Sequence, residues 1–454
     1  MARWLRKLAV LATAVIFASP LHASEITVVS SAFEEDTPFE LKIQLGWVHS
    51  WHSARITREH NQTDPETGNL GIVNAAELQY SRTINQIRPT IRAGLYKDLE
   101  IFITWPYVFR EAQDWDRGTL AGRVQHSTLH NTEGLCASGM VHQDCAEPLL
   151  AFTDAMGGNS SYRGGLDNGT LGFRWGVLNE DRHPWSANWV IGASWTFPMQ
   201  AERAPNVVSH ATADPAPVSD RVNRWNFETA LSRTAGPLVP FVRFHYTLPR
   251  PQLNAFHNCD QASSLADMDL NTSSVDNTCM GLEWTRQGSN LGGMSPAHMG
   301  GIEFGTEVVP YVIPEEYVRV AVQLSAGATY VSEGRDFTIL SDALQRLTYH
   351  DEYAHLYTTI GLRAQPSRYG KLHTLFTFGY DTPHLLTRET IGRDRYYETG
   401  EGEPDVITLS YSREDIELDE RNPNYDFRWD QVGRRFGAEN SMHYTLMIVG
   451  EMTF

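Results

Sequence analysis

The sequence predicts an all-β chain: a closed antiparallel transmembrane β-barrel of about 12 strands with long extracellular loops. Three observations predict it. Apolar and polar residues alternate with a period of two in segment after segment. Short and long connections strictly interleave between those segments. The final segment is amphipathic and ends on an aromatic residue, Phe454.

The first element is an address. Arg3, Arg6 and Lys7 form a basic start, Leu8 to Phe17 an apolar stretch too short to span a bilayer, and Ser19 to Ala23 a cleavage region. Residues 1–23 therefore read as a secretory signal and 24–454 as the barrel. Only residues 24–38 precede the first strand, too few for a plug domain.

Strand-like alternation begins with Phe39, Leu41, Ile43, Leu45 and Trp47 against Glu40, Lys42, Gln44 and Gly46. The second strand slips a register near Ser81–Gln86, where a bulge is expected. Ile91, Ala93 and Leu95 alternate with Arg92 and Gly94. Lys97–Asp98 then turn the chain into Leu99, Ile101, Ile103 and Trp105. Leu171, Phe173, Trp175 and Val177 alternate with Gly172, Arg174 and Gly176. Trp189, Ile191, Ala193, Trp195 and Phe197 follow, then Ile302, Phe304, Thr306 and Val308, then the even positions from Val318 to Ala328, then those from Leu372 to Tyr380. Short connections lie near 96–98, 179–186, 234–237, 310–316 and 366–370; long ones near 59–70, 110–164, 199–221, 249–297, 331–352 and 382–439. Outer-membrane barrels sort their loops in this way, short turns inside and long loops outside, whereas a soluble sandwich has no reason to. Ten or fourteen strands would also satisfy an even count. The run Arg413 to Arg421 reads as part of a solvated loop, the alternative being a loop that folds back and narrows the pore.

In the closing strand the even positions from Met442 to Phe454 read Met, Tyr, Leu, Ile, Gly, Met, Phe. The odd positions from Ser441 read Ser, His, Thr, Met, Val, Glu, Thr. An amphipathic last strand with a terminal Phe resembles the closing signature of bacterial outer-membrane barrels. The expected partners are outer-membrane lipid, a small-molecule solute and the barrel-assembly machinery, which would engage the strand ending at Phe454. The expected location is the outer membrane of a Gram-negative bacterium.

Composition excludes other classes. The 454 residues include 37 Lys and Arg against 55 Asp and Glu, a net charge of -18. A nucleic-acid binder would carry a basic face instead. No window beyond the N-terminus offers the ~20 apolar residues that a membrane helix needs. In an exported chain the local pairs Cys136 with Cys145 and Cys259 with Cys279 are expected as loop disulfides.

Strand parity assigns Arg88, Arg92, Glu100, Arg174, Glu228, Arg243, His245, Glu303, Glu307, Arg319, Arg363, His373 and Glu451 to the lumen. Opposed charges there would set a transverse field that selects solutes. The alternative role is that of paired fillers bracing the wall.

No catalytic, cofactor or metal site is expected. Outer-membrane phospholipases need a His-x-Ser pair on one strand face, and only His22 and Ser24 have that spacing, straddling the cleavage point. In His49–Ser50, His52–Ser53 and His126–Ser127 the side chains point to opposite faces. His350 and His355 are spaced by five rather than the four of a zinc-protease helix, and His126 with His130 lacks a third ligand.

A family resemblance rests on two blocks. Arg88-Pro89-Thr90-Ile91-Arg92-Ala93-Gly94-Leu95-Tyr96-Lys97-Asp98-Leu99-Glu100-Ile101, leading to Trp105-Pro106-Tyr107, resembles a hairpin of the outer-membrane family named for the MetA pathway of phenol degradation. Gly164 to Trp175, then Leu178-Asn179-Glu180-Asp181, Pro184 and Thr196-Phe197-Pro198, is similar to that family's next block. The resemblance covers roughly residues 83–200 and departs at Met199, where the family places Gly after Pro. It implies a transporter or channel for small, often hydrophobic compounds. The expected function is thus a passive channel. The alternatives are a structural or adhesive barrel working through its large loops and, less favoured, an outer-membrane hydrolase.

Overall fold

Twelve strands, each antiparallel to its neighbours, close on themselves. They are β1 (Leu41–Thr63), β2 (Leu70–Tyr96), β3 (Leu99–Thr104 continuing as Tyr107–Asp116), β4 (Ser160–Leu166 continuing as Gly169–Leu178), β5 (Asn188–Phe197), β6 (Val222–Ser232), β7 (Leu238–Pro251), β8 (Met299–Ile313), β9 (Val318–Val331), β10 (Tyr353–Ser367), β11 (Gly370–Asp381) and β12 (Phe436–Thr453). Sequence neighbours pair all the way round, and β12 closes on β1 from Lys42 opposite Thr453 to Arg58 opposite Phe436. This computed structural model describes residues 24–32, 39–63, 70–116, 160–180, 182–253, 255–258, 293–390, 424–426 and 429–454. The expected signal, all four cysteines and the run 413–421 lie outside the described residues.

The alternation sorts side chains between two environments. Leu45, Phe173, Trp175, Phe227, Phe304, Leu324, Ile360 and Phe376 are all exposed on the outer wall. Water would not tolerate an apolar belt of this extent around a monomer, but lipid favours it. Inward residues of the same strands are buried or polar: Glu303, Glu307, Arg319, Gln323 and Arg363 are each less than a tenth exposed.

The strand breaks have local causes. Pro106 has no N–H to offer the ladder, so β3 splits there, and β4 splits opposite it at Asp167–Asn168. The irregularity expected near Ser81–Gln86 falls at Asn85–Gln86 in the pairing of β2 with β3, and not in its pairing with β1. Leu78, Tyr80, Arg82, Ile84, Gln86, Arg88, Thr90 and Arg92 keep one unbroken inward register against β1. The register of β2 against β1 shifts beyond Leu78, at Ile56 and Thr57 of β1. The alternation looked broken because Leu78 and Tyr80 are apolar yet face inward, into a packed core rather than a wet lumen.

That core closes the outer end. Ala54, Ile56, Leu78, Tyr80, Trp115, Phe436 and Ala438 of the wall pack against Leu340, Ala343 and Leu344 of the loop between β9 and β10, and against Leu386 and Trp429 of the loop between β11 and β12. The expectation of a solvated final loop is therefore corrected for its described ends. Thr387, Asp426 and Trp429 are buried, and the Thr387 hydroxyl donates to the Trp429 carbonyl at 2.6 Å.

Candidate functional site

The parity residues fall on the inner wall, and their charges pair between adjacent strands or across one intervening strand. Arg243 on β7 meets Glu303 on β8 at 2.5 Å, and Arg92 on β2 meets Glu100 on β3 at 3.3 Å. Arg174 on β4 lies 3.1 Å from Glu228 on β6. Glu307 on β8 gathers Arg363 at 3.1 Å and Arg319 at 3.7 Å, and Lys371 stands 3.2 Å from Glu451. His245 is 3.1 Å from the Thr329 hydroxyl. His373 lines the main cavity, while Arg88 shares its inward register with Gly46 and is exposed.

Many of these groups do more than pair with each other. Residues Ser24–Ala32, read from sequence only as a short lead-in, thread the inner end of the lumen. The Ser24 hydroxyl and the Glu25 amide donate to Glu307 at 2.7 and 2.9 Å. The Ser30 amide donates to Glu100 at 2.8 Å. The Arg174 guanidinium donates to the carbonyls of Val28, at 3.0 Å, and Ile26. The Lys97 amide, at a short turn, donates to the Ala32 carbonyl at 2.8 Å. Gly94 makes this approach possible, since a Cβ there would stand 2.3 Å from the Ser31 carbonyl oxygen. Charges assigned to the wall thus also act as a clamp on an extended segment. Sequence reasoning missed it because a lone extended stretch has no periodic partner pattern to reveal where it lies.

The segment is a septum. On one side lies a cavity of about 800 Å³, on the other a smaller one of about 270 Å³, and Glu25 borders both. The larger chamber mixes Arg174, Glu228 and Gln323 with Phe102, Tyr357 and Met447. Burial opposes ionisation of Glu25, but Lys371, Arg363, Lys42 and Arg92 outweigh it and hold the carboxyl well below the usual range.

The outer closure is anchored by charge as well as by apolar packing. The short helix Ser341–Leu344 is fully buried, and its Asp342 receives two bonds from Arg163 of β4, each 2.8 Å. Ser161 and Gln113 each donate to the same carboxylate at 3.0 Å, and Trp115 donates to the Ile339 carbonyl at 2.8 Å. Trp115 and Trp429 are packing residues here, each under a twentieth exposed.

A second inward cluster was also missed: His52, His355, Asp381 and His443 with Ser441. Parity alone marks each as inward, but only the strand register reveals that they meet. Ser441-x-His443 reverses the order sought for a hydrolase. The Ser441 hydroxyl donates to Asp381 and lies 3.4 Å from His443 Nε2, the same nitrogen that addresses Asp381 at 2.6 Å, so the imidazole does not stand between serine and carboxylate as a relay needs.

No protein-family model and no curated protein matches the chain. Among solved structures, an outer membrane channel from Pseudomonas putida F1 aligns at 10% identity over 97% of this chain and 100% of that one, with a TM-score of 0.41. A Pseudomonas aeruginosa FadL homologue aligns at 7% identity over 91% and 90%, with a TM-score of 0.33. The CymD monoaromatic hydrocarbon channel aligns at 8% identity over 91% and 88%, with a TM-score of 0.31. Likenesses this distant carry no weight for function, which has to be argued from the geometry of this barrel itself.

Proposed function

We propose that this protein is an outer-membrane channel through which small compounds, apolar and aromatic ones among them, pass down their gradient. The observation that carries the reading is the hollow chamber of about 800 Å³ inside a lipid-coated barrel, shut at its inner end by a segment that belongs to no strand. A barrel built only to brace a membrane can fill its lumen with wall side chains, as small barrels do. Here the wall leaves a chamber, and a separate segment divides it from the space below. Phe102, Leu375, Met447 and Val449 give the chamber apolar surface beside its charged pairs, so a solute with an apolar body and a polar end fits its chemistry.

Vesicles reconstituted with the protein test this. Small aromatic acids or alcohols should enter them faster than protein-free vesicles, and faster still when residues 24–32 are deleted. If neither protein admits any solute above background, the channel reading fails, and a structural or adhesive barrel takes its place.

A further inference from the structure

Four adjacent strands bring three imidazoles and one carboxylate to a single spot on the inner wall. His52 of β1 stands directly opposite His443 of β12. Asp381, the last residue of β11, stands opposite Ser441 of β12 and opposite His355 of β10. His443 Nε2 lies 2.6 Å from Asp381 Oδ2, and His355 Nδ1 lies 2.5 Å from Asp381 Oδ1. The Ser441 hydroxyl donates to Asp381 Oδ2 at 2.8 Å and lies 3.0 Å from His52 Nε2. The His52 and His443 rings are stacked, with centroids 3.9 Å apart and planes inclined by 16°. A Cβ at Gly379 would stand 2.6 Å from the His355 ring and 3.4 Å from the His443 Cβ, so glycine makes the crowding possible.

We propose that His52, Asp381 and His443 form a binding site for a borderline divalent transition-metal ion of the zinc, nickel or cobalt class, with His355 orienting Asp381. One coordinating atom from each of the three lies within 4.8 Å of the others. Tetrahedral donors at 2.0–2.1 Å from a zinc-class ion stand about 3.3–3.5 Å apart. His443 Nε2 and Asp381 Oδ2, 2.6 Å apart, stand closer than that span, so the His443 ring, stacked on His52, turns away from the carboxylate to admit the ion. Two imidazoles and a carboxylate suit ions of intermediate softness and leave a position for water or for Ser441. The His355 bond to Asp381 is the outer-shell contact that fixes a carboxylate ligand. Arg82, opposite His52, is the nearby cation that would oppose a metal, and Glu111 pairs with it at 3.1 Å. The ion would tie β1, β11 and β12 together across the seam where the barrel closes.

The test uses untagged full-length protein, purified in detergent, stripped with chelator and titrated with zinc chloride by calorimetry and with cobalt chloride by visible absorption. The wild type should take up one equivalent of each, with the cobalt bands of nitrogen and oxygen ligands. His443→Gln and Asp381→Asn should weaken binding by at least about tenfold, and His355→Gln by about 10- to 100-fold. His245→Gln, an inward histidine of β7 outside the cluster, should leave the metal stoichiometry and affinity as in the wild type. Heat-dependent gel mobility reports whether each variant is folded. If the ligand variants do not fold, protection of His52 and His443 from diethylpyrocarbonate by zinc, mapped by mass spectrometry, decides instead. Absence of saturable binding in the wild type, undiminished binding in folded His443→Gln, or unprotected histidines would each overturn the site.

Discussion

Ser24 donates its hydroxyl to Glu307 across 2.7 Å, and neither residue is accessible to solvent. A residue upstream of the first strand is thereby fixed to the wall of the eighth. Glu307 also faces Arg363 and Arg319, so it serves the wall and the septum at once. Removing one partner of a buried pair costs about 3–5 kcal/mol, because the other charge stays buried without compensation. Glu307→Gln keeps the shape but weakens both attachments. In planar bilayers it should give more frequent and larger openings than the wild type. An unchanged conductance trace would mean that the segment is not held by this contact.

The outer closure should yield to a different change. Arg163 is wholly buried and spends its bidentate face on Asp342. Asp342→Ala strands that guanidinium, again at about 3–5 kcal/mol. The loop between β9 and β10 should lift while the wall, held by its ladders, stays intact. Proteases added to whole cells should then cut within residues 332–352 in the variant and spare the wild type. Equal resistance would show that apolar packing alone holds the cap.

Much of this architecture was legible. Alternation such as Ile302–Phe304 against Glu303 encodes two solvents, lipid and lumen, and interleaved loop lengths encode which end is which. Together they give the twelve strands. Parity also put the charged residues on the inner face, because a lipid-facing charge is costly. The two closures were not legible. Leu78 and Tyr80 break the pattern because their lumen is filled by Leu340 and Leu344, partners some 260 residues away in sequence. His52 and His443 meet only because β12 closes on β1, a register that no local pattern contains.

The cap should also respond to pH. Burial, with the nearby Glu389 charge, pushes the Asp430 carboxyl well above its usual range. Burial outweighs the amides of Asp426, at 2.8 Å, and Glu389, at 3.1 Å, which donate to the carboxyl and favour its ionised form, so the fold favours the protonated one. A raised value contributes stability that is complete below the ordinary aspartate range and is lost as pH rises through the raised one. Hydrogen exchange at residues 386–390 and 429–436 should speed up as pH rises above the ordinary aspartate range by more than the intrinsic chemical rate. Asp430→Asn should remove that excess. An excess that persists in the variant would assign it to another group.

The apolar belt makes the strongest claim, because it requires lipid rather than protein as its partner. Ile360 lies mid-strand on β10 and is 58% exposed, while Thr377 on β11 lines the chamber. An arginine at either position is long and charged, so side-chain chemistry alone would penalise both equally. The two differ only in the medium they meet. On the lipid face near the midplane, Ile360→Arg should cost about 2–4 kcal/mol. In the wet lumen, Thr377→Arg should keep its charge hydrated and cost far less. Reversible denaturant unfolding in vesicles measures both. Equal penalties would mean that the outer wall does not face hydrocarbon, and the membrane-spanning reading would fall with it.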